Sequence, residues 1–202
     1  MSLQERLFVA HPDLTPAQCT DLLRYLDLMR KWNRTYNLTA ISDPAQMFTH
    51  HLLDSLTLLP HVGVGPLLDV GSGAGLPGIP LAVARPDLAV TTLDASQKKC
   101  GFMQQAAIDL KLLNLRVVHG RVEDFQPENG YAVIVSRAFS DLGDFVRLTR
   151  HLLAPGGRWL AMKGAYPRAE VEQLKEVRVV ENIELHAPGL DAERCLVIME
   201  RT

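Results

Sequence analysis

The sequence predicts an α/β protein: a mostly parallel, Rossmann-like sheet with crossover helices, ending in an antiparallel hairpin and preceded by a helical extension. Three observations carry this. From Pro66 onward, short β-rich apolar runs alternate with helix-length amphipathic ones, the signature of parallel strands joined by helices. Before Pro66 the apolar spacing is helical only. Beyond Val177, two β-like runs lie too close in sequence to hold a crossover helix between them, so they should pair antiparallel. The expected organisation is a helical extension over residues 1–65 packed on a core over residues 66–202.

In chain order, Thr15 before Pro16 is an N-cap and first-turn signal, and Cys19, Leu22, Leu23, Leu26, Met29 and Trp32 follow at helical spacing. Asp43 and Pro44 open a second helix, with Met47, Phe48, His51 and Leu52 on one face; it runs or kinks through Leu53 to Leu59 until Pro60 stops it. Strands are predicted at Leu67 to Val70, Ala89 to Leu93, Leu115 to His119, Tyr131 to Ser136 and Arg158 to Met162. Helices are expected between them, from Gln97 to Leu112 after a Ser96 cap and from Leu142 to Leu153 after an Asp141 cap. The second should end in the turn Pro155-Gly156-Gly157. Val177 to Leu185 and Cys195 to Glu200 supply the terminal hairpin.

With 202 residues, 47% hydrophobic and 22% charged, the chain can bury a full core without staples, which excludes disordered and collagen-like classes. Cys19, Cys100 and Cys195 lie far apart with no C-x-x-C pair, so neither a zinc site nor a disulfide framework is indicated, and a reducing compartment fits. Residues Met1 to Ala10 lack the basic start and long apolar run of a signal peptide, and no segment reaches the roughly 18 apolar residues of a membrane span. The expectation is a soluble, cytoplasmic protein. A formal net charge of -2 constrains any nucleic-acid reading, because bulk phosphate neutralisation favours a basic protein. Positive charge would have to gather on one face, with the target presented by a folded particle.

The densest signal is Leu67-Leu68-Asp69-Val70-Gly71-Ser72-Gly73-Ala74-Gly75-Leu76-Pro77-Gly78, an apolar strand running into glycines and then a helix, with Pro80 suited to its first turn. Gly71, Gly73 and Gly75 let the backbone turn tightly and approach a ligand that a Cβ would repel. Asp94 ends the next strand 19 residues beyond Gly75, near the usual offset for an acid that accepts from ribose hydroxyls. It could instead cap the following helix, although Ser96 can do that by itself. After the third strand, Arg121-Val122-Glu123-Asp124 can meet an adenine ring, more through the backbone of Val122 and Glu123 than through Asp124. The run from Gly73 to Gly78 also satisfies G-x-G-x-x-G, so a dinucleotide enzyme competes here. An acid two residues before G-x-G-x-G and a reversed C-terminal strand are the arrangement of S-adenosylmethionine-dependent methyltransferases.

Four segments sharpen this: Lys31-Trp32-Asn33-Arg34-Thr35-Tyr36-Asn37-Leu38-Thr39, His51-Leu52-Leu53-Asp54-Ser55, Gly71 through Pro80, and Val135-Ser136-Arg137-Ala138-Phe139. Together they resemble the 16S ribosomal RNA guanine-N7 methyltransferase family (RsmG, glucose-inhibited division protein B) over almost the whole chain. The resemblance implies S-adenosylmethionine contacts at Gly71, Leu76, Val122, Glu123 and Arg137. It also implies a guanine of 16S rRNA in the small ribosomal subunit as substrate.

The residues themselves are consistent with that chemistry. Ser136-Arg137-Ala138-Phe139 is unlike the Asn/Asp-Pro-Pro-aromatic motif that orients an exocyclic amine, and neither Cys100 nor Cys195 follows a strand on the cofactor edge, as C5 chemistry on pyrimidines needs. Guanine N7 carries an in-plane lone pair and no proton, so alignment suffices and no acid or base is assigned as catalytic. An unpaired target is expected, because N7 lies in the deep groove of A-form RNA. Trp32, Tyr36 and Phe139 are stacking candidates, although Trp32 continues an apolar stripe. Arg30, Lys31, Arg34, Arg137, Arg147, Arg150, Arg158, Lys163 and Arg168 are candidates for phosphates. Arg137 stands out because it follows a central strand, where parallel sheets place ligands. His50, His51 and Asp54 suggest a metal or an acid–base pair, but no further ligands appear at useful spacing, so no metal and a packing role beside the cofactor are expected. An NAD(P) oxidoreductase and a non-catalytic RNA-binding assembly factor remain the alternative readings.

Overall fold

The computed structural model describes residues 1–202 except Ala138 and Ser140. Helix α1 (Leu3–Ala10) is closed by a capping box in which the Ser2 side chain accepts from Glu5 N–H and the Glu5 side chain accepts from Ser2 N–H. Sequence patterning did not reveal this helix, because eight residues are too few to show a period. Helix α2 (Pro16–Tyr36) has the expected Thr15 cap, paired with Gln18 in a second capping box, and ends at Asn37 in the left-handed conformation. The second predicted helix is α3 (Pro44–Met47), a π-helical stretch Phe48–Leu53 and α4 (Asp54–Leu56) in succession. The anticipated kink is therefore a π turn, a feature that accumulates at functional sites. The helix stops at Leu56, short of the expected Leu59.

The described residues form a seven-stranded sheet in the order β3-β2-β1-β4-β5-β7-β6, with β1 (Leu67–Val70), β2 (Val90–Asp94), β3 (Leu115–His119), β4 (Tyr131–Ser136), β5 (Leu153–Lys163), β6 (Val177–Glu184) and β7 (Cys195–Arg201). The first five run parallel; β7 is antiparallel to both β5 and β6, which is the predicted hairpin. The crossovers carry α5 (Gly78–Ala84), α6 (Gln97–Asp109) and α7 (Leu142–Thr149), and α8 (Arg168–Gln173) lies between β5 and β6. Several boundaries differ from expectation: β2 runs one residue later than the predicted Ala89 to Leu93, and α7 ends at Thr149 rather than Leu153, giving way to a 3₁₀ turn Arg150–Leu152. Helix α6 ends at Asp109 rather than Leu112, with Lys111 left-handed at φ 54°. Strand β5 starts at Leu153, so Pro155-Gly156-Gly157 interrupts a strand instead of preceding one: the register shifts opposite Tyr131 and Val133, and a Cβ on Gly157 would lie 2.9 Å from the Tyr131 carbonyl.

Alternation along the strands puts Leu67, Val133, Val135 and Leu160 against α5 on one face, and Leu68, Val70, Ile134 and Trp159 against α7 on the other. A further apolar cluster joins α1, α2 and the π turn to α5 and α6 through Leu7, Leu22, Met29, Phe48, Ile79 and Phe102. Two polar ties, one half-buried and one buried, fasten α2 to the sheet side of this cluster. Gln18 donates to the Val83 and Ala84 carbonyls (3.2 and 2.9 Å), and the Tyr25 hydroxyl donates to the Ala74 carbonyl inside the glycine loop. Helix α2 thus braces the loop that opens α5. Among the described residues no helix is long and apolar enough to cross a membrane.

Candidate functional site

The loop between β1 and α5 is left-handed at all three glycines, with φ 70° at Gly71, 61° at Gly73 and 84° at Gly75, a region that penalises any Cβ. Buried side chains hold it. Ser72 Oγ donates to the Asp69 carbonyl (2.8 Å) and accepts from Leu93 N–H (3.2 Å), while Gly78 N–H donates to Asp69 Oδ2 (2.9 Å). Asp69 is fully buried, and its Oδ1 has no hydrogen-bond partner among the described residues. Burial raises its carboxyl to about 7, against the lowering effect of the Gly78 N–H.

The glycines are not equivalent. Around Gly73 a Cβ would find open space, with nothing nearer than the Gly71 carbonyl at 4.0 Å, whereas at Gly75 it would run into the Ile79 side chain, 2.7 Å from Cγ1. Gly73 keeps a backbone surface clear. Gly75 lets α5 close on its own loop.

Asp94 sits at the end of β2 and works on the backbone at both oxygens: Gly73 N–H donates to Oδ2 and Ser96 N–H to Oδ1, each at 2.8 Å. Ser96 is the N-cap residue of α6 without a side-chain cap bond among the described residues, and its own N–H is held by Asp94. Each carboxylate oxygen retains acceptor capacity for a further donor.

Over the carboxyl ends of β1, β2 and β3 lies a cleft of about 260 Å³, bounded by Gly71, Asp94, Val122, Glu123 and Phe139. Val122 and Glu123 enter it from a 3₁₀ turn, Val122–Asp124, and Asp124 is not part of its wall. Gly73 is tied to the cleft through Asp94, while Gly75 and Leu76 lie behind it, Leu76 within the apolar cluster beneath α2. Arg137 is elsewhere, in a neighbouring cavity of about 310 Å³ at the ends of β4 and β5.

That second cavity is made by side chains from distant segments. Asp54, only 1% exposed, accepts from Arg137 Nη1 at Oδ2 and from Arg194 Nε at Oδ1, both at 3.2 Å. Arg137 Nη1 also donates to the His50 carbonyl (3.0 Å). His51 is not paired with Asp54; its Nε2 meets Thr39 Oγ1 at 2.9 Å, and its Nδ1 is buried with no partner among the described residues. Burial, reinforced by the Arg137 charge, lowers His51 to about 4, so the ring is neutral at neutral pH. Sequence reasoning missed Arg194, which carries no motif and lies 140 residues from its partner. It also missed the tie from Tyr25, which stands outside the apolar stripe read along α2.

The remaining candidates scatter. Arg30 and Arg34 border a separate hollow with Asn33 and Asn37, and Lys31 is exposed on α2. Arg147 and Arg150 pair on the surface with Asp144 and Glu176, Arg158 lies midway along β5, and Arg168 opens α8. Lys163 is held by Glu170 at 2.9 Å. Trp32 is partly buried against Phe102 (ring centroids 5.7 Å), and the exposed Tyr36 packs on it. Phe139 leans on Phe145 at 5.2 Å; its neighbour Ala138, part of the segment from Ser136 to Phe139 used above, lies outside the described residues.

This geometry has relatives. A methyltransferase structure from Thiobacillus denitrificans, in complex with S-adenosyl-L-homocysteine, superposes with a TM-score of 0.56 at 14% identity, covering 74% of this chain and 90% of that one; the likeness shows a shared fold. The ribosomal RNA small subunit methyltransferase G of Methylobacillus flagellatus is 57% identical over 187 residues, covering 91% of this chain and 90% of the relative. That of Aromatoleum aromaticum is 56% identical over 194 residues, covering 93% and 92%. The GidB family model, described as rRNA small subunit methyltransferase G, matches residues 18–197, from the helix that braces the glycine loop to the last strand of the sheet, and this chain belongs to that family.

Proposed function

We propose that the protein transfers the methyl group of S-adenosylmethionine to N7 of a guanine in 16S rRNA, presented by the small ribosomal subunit in the cytoplasm. The observation that carries this reading is the family match over residues 18–197. The site supports it. The open backbone face at Gly73 and the acceptor capacity left on Asp94 suit an adenosyl group that lies against main chain and offers ribose hydroxyls. The backbone of Val122 and Glu123 borders the same cleft, where the adenine would lie. Gly71, Gly73, Asp94, Val122 and Glu123 are the proposed contacts, with Gly75 and Leu76 shaping the loop and Arg137 beside it.

When bound, the cofactor supplies an electrophilic methyl group on a sulfonium. What the chain adds is alignment. Burial raises the thiols of Cys19, Cys100 and Cys195, which disfavours a thiolate nucleophile, and Ser136 Oγ donates to the Val70 carbonyl. The N7 lone pair needs neither a base nor a metal. In this reading residues 1–65 form an extension whose α2 positions the loop, and residues 66–202 form the catalytic core.

The test incubates the protein and labelled cofactor with unmodified small subunits and, separately, with protein-free 16S RNA, then maps N7-methylguanine by borohydride and aniline cleavage. Label at one guanine in subunits, with little in free RNA, is the expected outcome. Label on cytosine, on an exocyclic amine or on protein would overturn the chemistry, and equal labelling of free RNA would overturn presentation by the particle.

A further inference from the structure

The cavity beside the cofactor cleft holds an arrangement that methyl transfer alone does not require. One carboxylate, Asp54, is shared by two guanidiniums from segments 83 and 140 residues away. The carboxylate is buried, while the Arg137 and Arg194 side chains are 27% and 26% exposed, so the acid sits behind and the two cations face the opening. Each contact is single and 3.2 Å long, where an arginine–carboxylate fork would use two N–H groups at shorter range. Among the described residues the Nη2 of neither guanidinium has a hydrogen-bond partner. Asp54 cancels one of the two positive charges and leaves one unspent, and although Arg194 Nη1 donates to the Glu193 carbonyl, the Nη2 donors remain. Lys163 also lines the cavity, with its charge paired to Glu170, and Asp54 is the one carboxylate in the cavity lining among the described residues. The neighbouring His51 ring is neutral near pH 7 and does not offset that charge.

We infer that Arg194 is a binding residue for a backbone phosphate of the substrate RNA, and that Asp54 is the positioning residue that sets Arg194 beside Arg137. This rests on the rRNA reading above and deepens it. The sheet order argues for RNA over the cofactor's own carboxylate. The cofactor cleft lies over β1, β2 and β3, whereas Arg194 directly precedes β7, three strands beyond β1. At about 4.8 Å per strand the backbone there stands roughly 14 Å from β1. A polymer whose target base enters between the two clefts carries phosphates at that range.

The experiment compares wild type, Arg194→Ala and Arg194→Lys in three measurements: steady-state transfer to small subunits over a salt series, subunit binding by sedimentation over the same series, and S-adenosylhomocysteine binding by calorimetry. For Arg194→Ala we expect KM for subunits to rise about tenfold with kcat within about twofold. The slope of log affinity against log salt should fall in magnitude by about 0.7–1, the share of one phosphate. Cofactor affinity should stay within about twofold. Arg194→Lys should keep the slope and recover part of the affinity. Weakened S-adenosylhomocysteine binding with a normal KM for subunits would place the cofactor carboxylate at Arg194 and overturn the inference. An unchanged salt slope would also overturn it, leaving Arg194 a structural counter-ion of Asp54. If wild type binds subunits without methylating them, the rRNA methylation reading fails, while the binding slopes still decide the role of Arg194.

Discussion

The two hollows at the carboxyl edge of the sheet are built from different materials. The cleft over β1, β2 and β3 rests on local backbone: left-handed Gly71 in its wall, a 3₁₀ turn, and one aspartate that ties Gly73 of the glycine loop to Ser96. The cavity over β4 and β5 is walled by side chains that Asp54 collects from Arg137 and Arg194. Backbone conformation is dictated within a few residues, so the first hollow tolerates little local change. A side-chain cluster depends on tertiary packing, and its parts can be exchanged singly. The following predictions probe that contrast.

The largest effect should come from the backbone side. Gly75→Val places a β-branched residue at φ 84° with its Cβ inside the Ile79 side chain. Left-handed strain of roughly 1–2 kcal/mol and overpacking of roughly 1–3 kcal/mol together predict a loss near 3–4 kcal/mol in urea unfolding. Gly73→Val meets open space and should lose only the strain, about 1–2 kcal/mol, while S-adenosylhomocysteine binding collapses. Equal destabilisation of the two variants would erase the distinction between a glycine for packing and a glycine for ligand approach.

Asp94→Ala should remove charge-assisted hydrogen bonds to ribose, lowering cofactor affinity by roughly 1.5–3 kcal/mol by calorimetry. The same change frees Gly73 N–H and Ser96 N–H, so a modest fall in Tm should accompany it. Lost Tm with unaltered affinity would reduce Asp94 to a loop tether.

On the side-chain cavity, Asp54→Ala leaves two guanidiniums facing one another. Stripping a partner from a buried pair costs roughly 3–5 kcal/mol, and about half of that, near 2 kcal/mol, remains when the cations are reached by water. A chain of this size should lose about 4–8 °C in Tm. Removing Arg194 as well should recover part of the loss, because only one guanidinium then lacks its anion. No recovery in the double variant would mean that the two arginines act independently.

The same contrast explains what the sequence made legible. The strand positions, the hairpin and the loop from Gly71 to Gly78 follow from local pattern, and Asp94 follows from its spacing to Gly75. The side-chain cap expected from Ser96 is absent among the described residues, and Asp94 instead accepts from the Ser96 N–H itself, a contact that propensity does not resolve. The turn at Pro155-Gly156-Gly157 became a bulge because pairing with β4 overrode the local turn signal. His51 and Asp54 looked like a pair at one helical turn, yet the π turn and packing sent them to Thr39 and to two arginines. No spacing rule links Asp54 to Arg194, since only the completed sheet brings them together.

The smallest predicted effect is also the most specific to the contrast, because a buried titratable group belongs to each hollow and the two push stability in opposite directions. His51, by the side-chain cavity, is lowered from 6.5 to about 4, so the unfolded chain binds the extra proton between those values and stability is lost as pH falls through that window. Asp69, under the glycine loop, is raised from 3.8 to about 7, so the folded chain holds the extra proton and stability is lost as pH rises toward 7. Going from about pH 7.5 to about pH 6, the His51 contribution should fall by about 1 kcal/mol while that of Asp69 grows by about 1 kcal/mol. The two nearly cancel in the wild type. His51→Gln should therefore gain stability on acidification over this range, and Asp69→Asn should lose it, when urea midpoints are compared at the two pH values. His11 and His61, both lowered by burial, are present in all three proteins and drop out of the differences. Variants whose midpoints shift in parallel with wild type would show that neither group titrates where its burial places it. Opposite shifts would show that the glycine loop is held most firmly by a protonated acid and the basic cavity by a neutral imidazole.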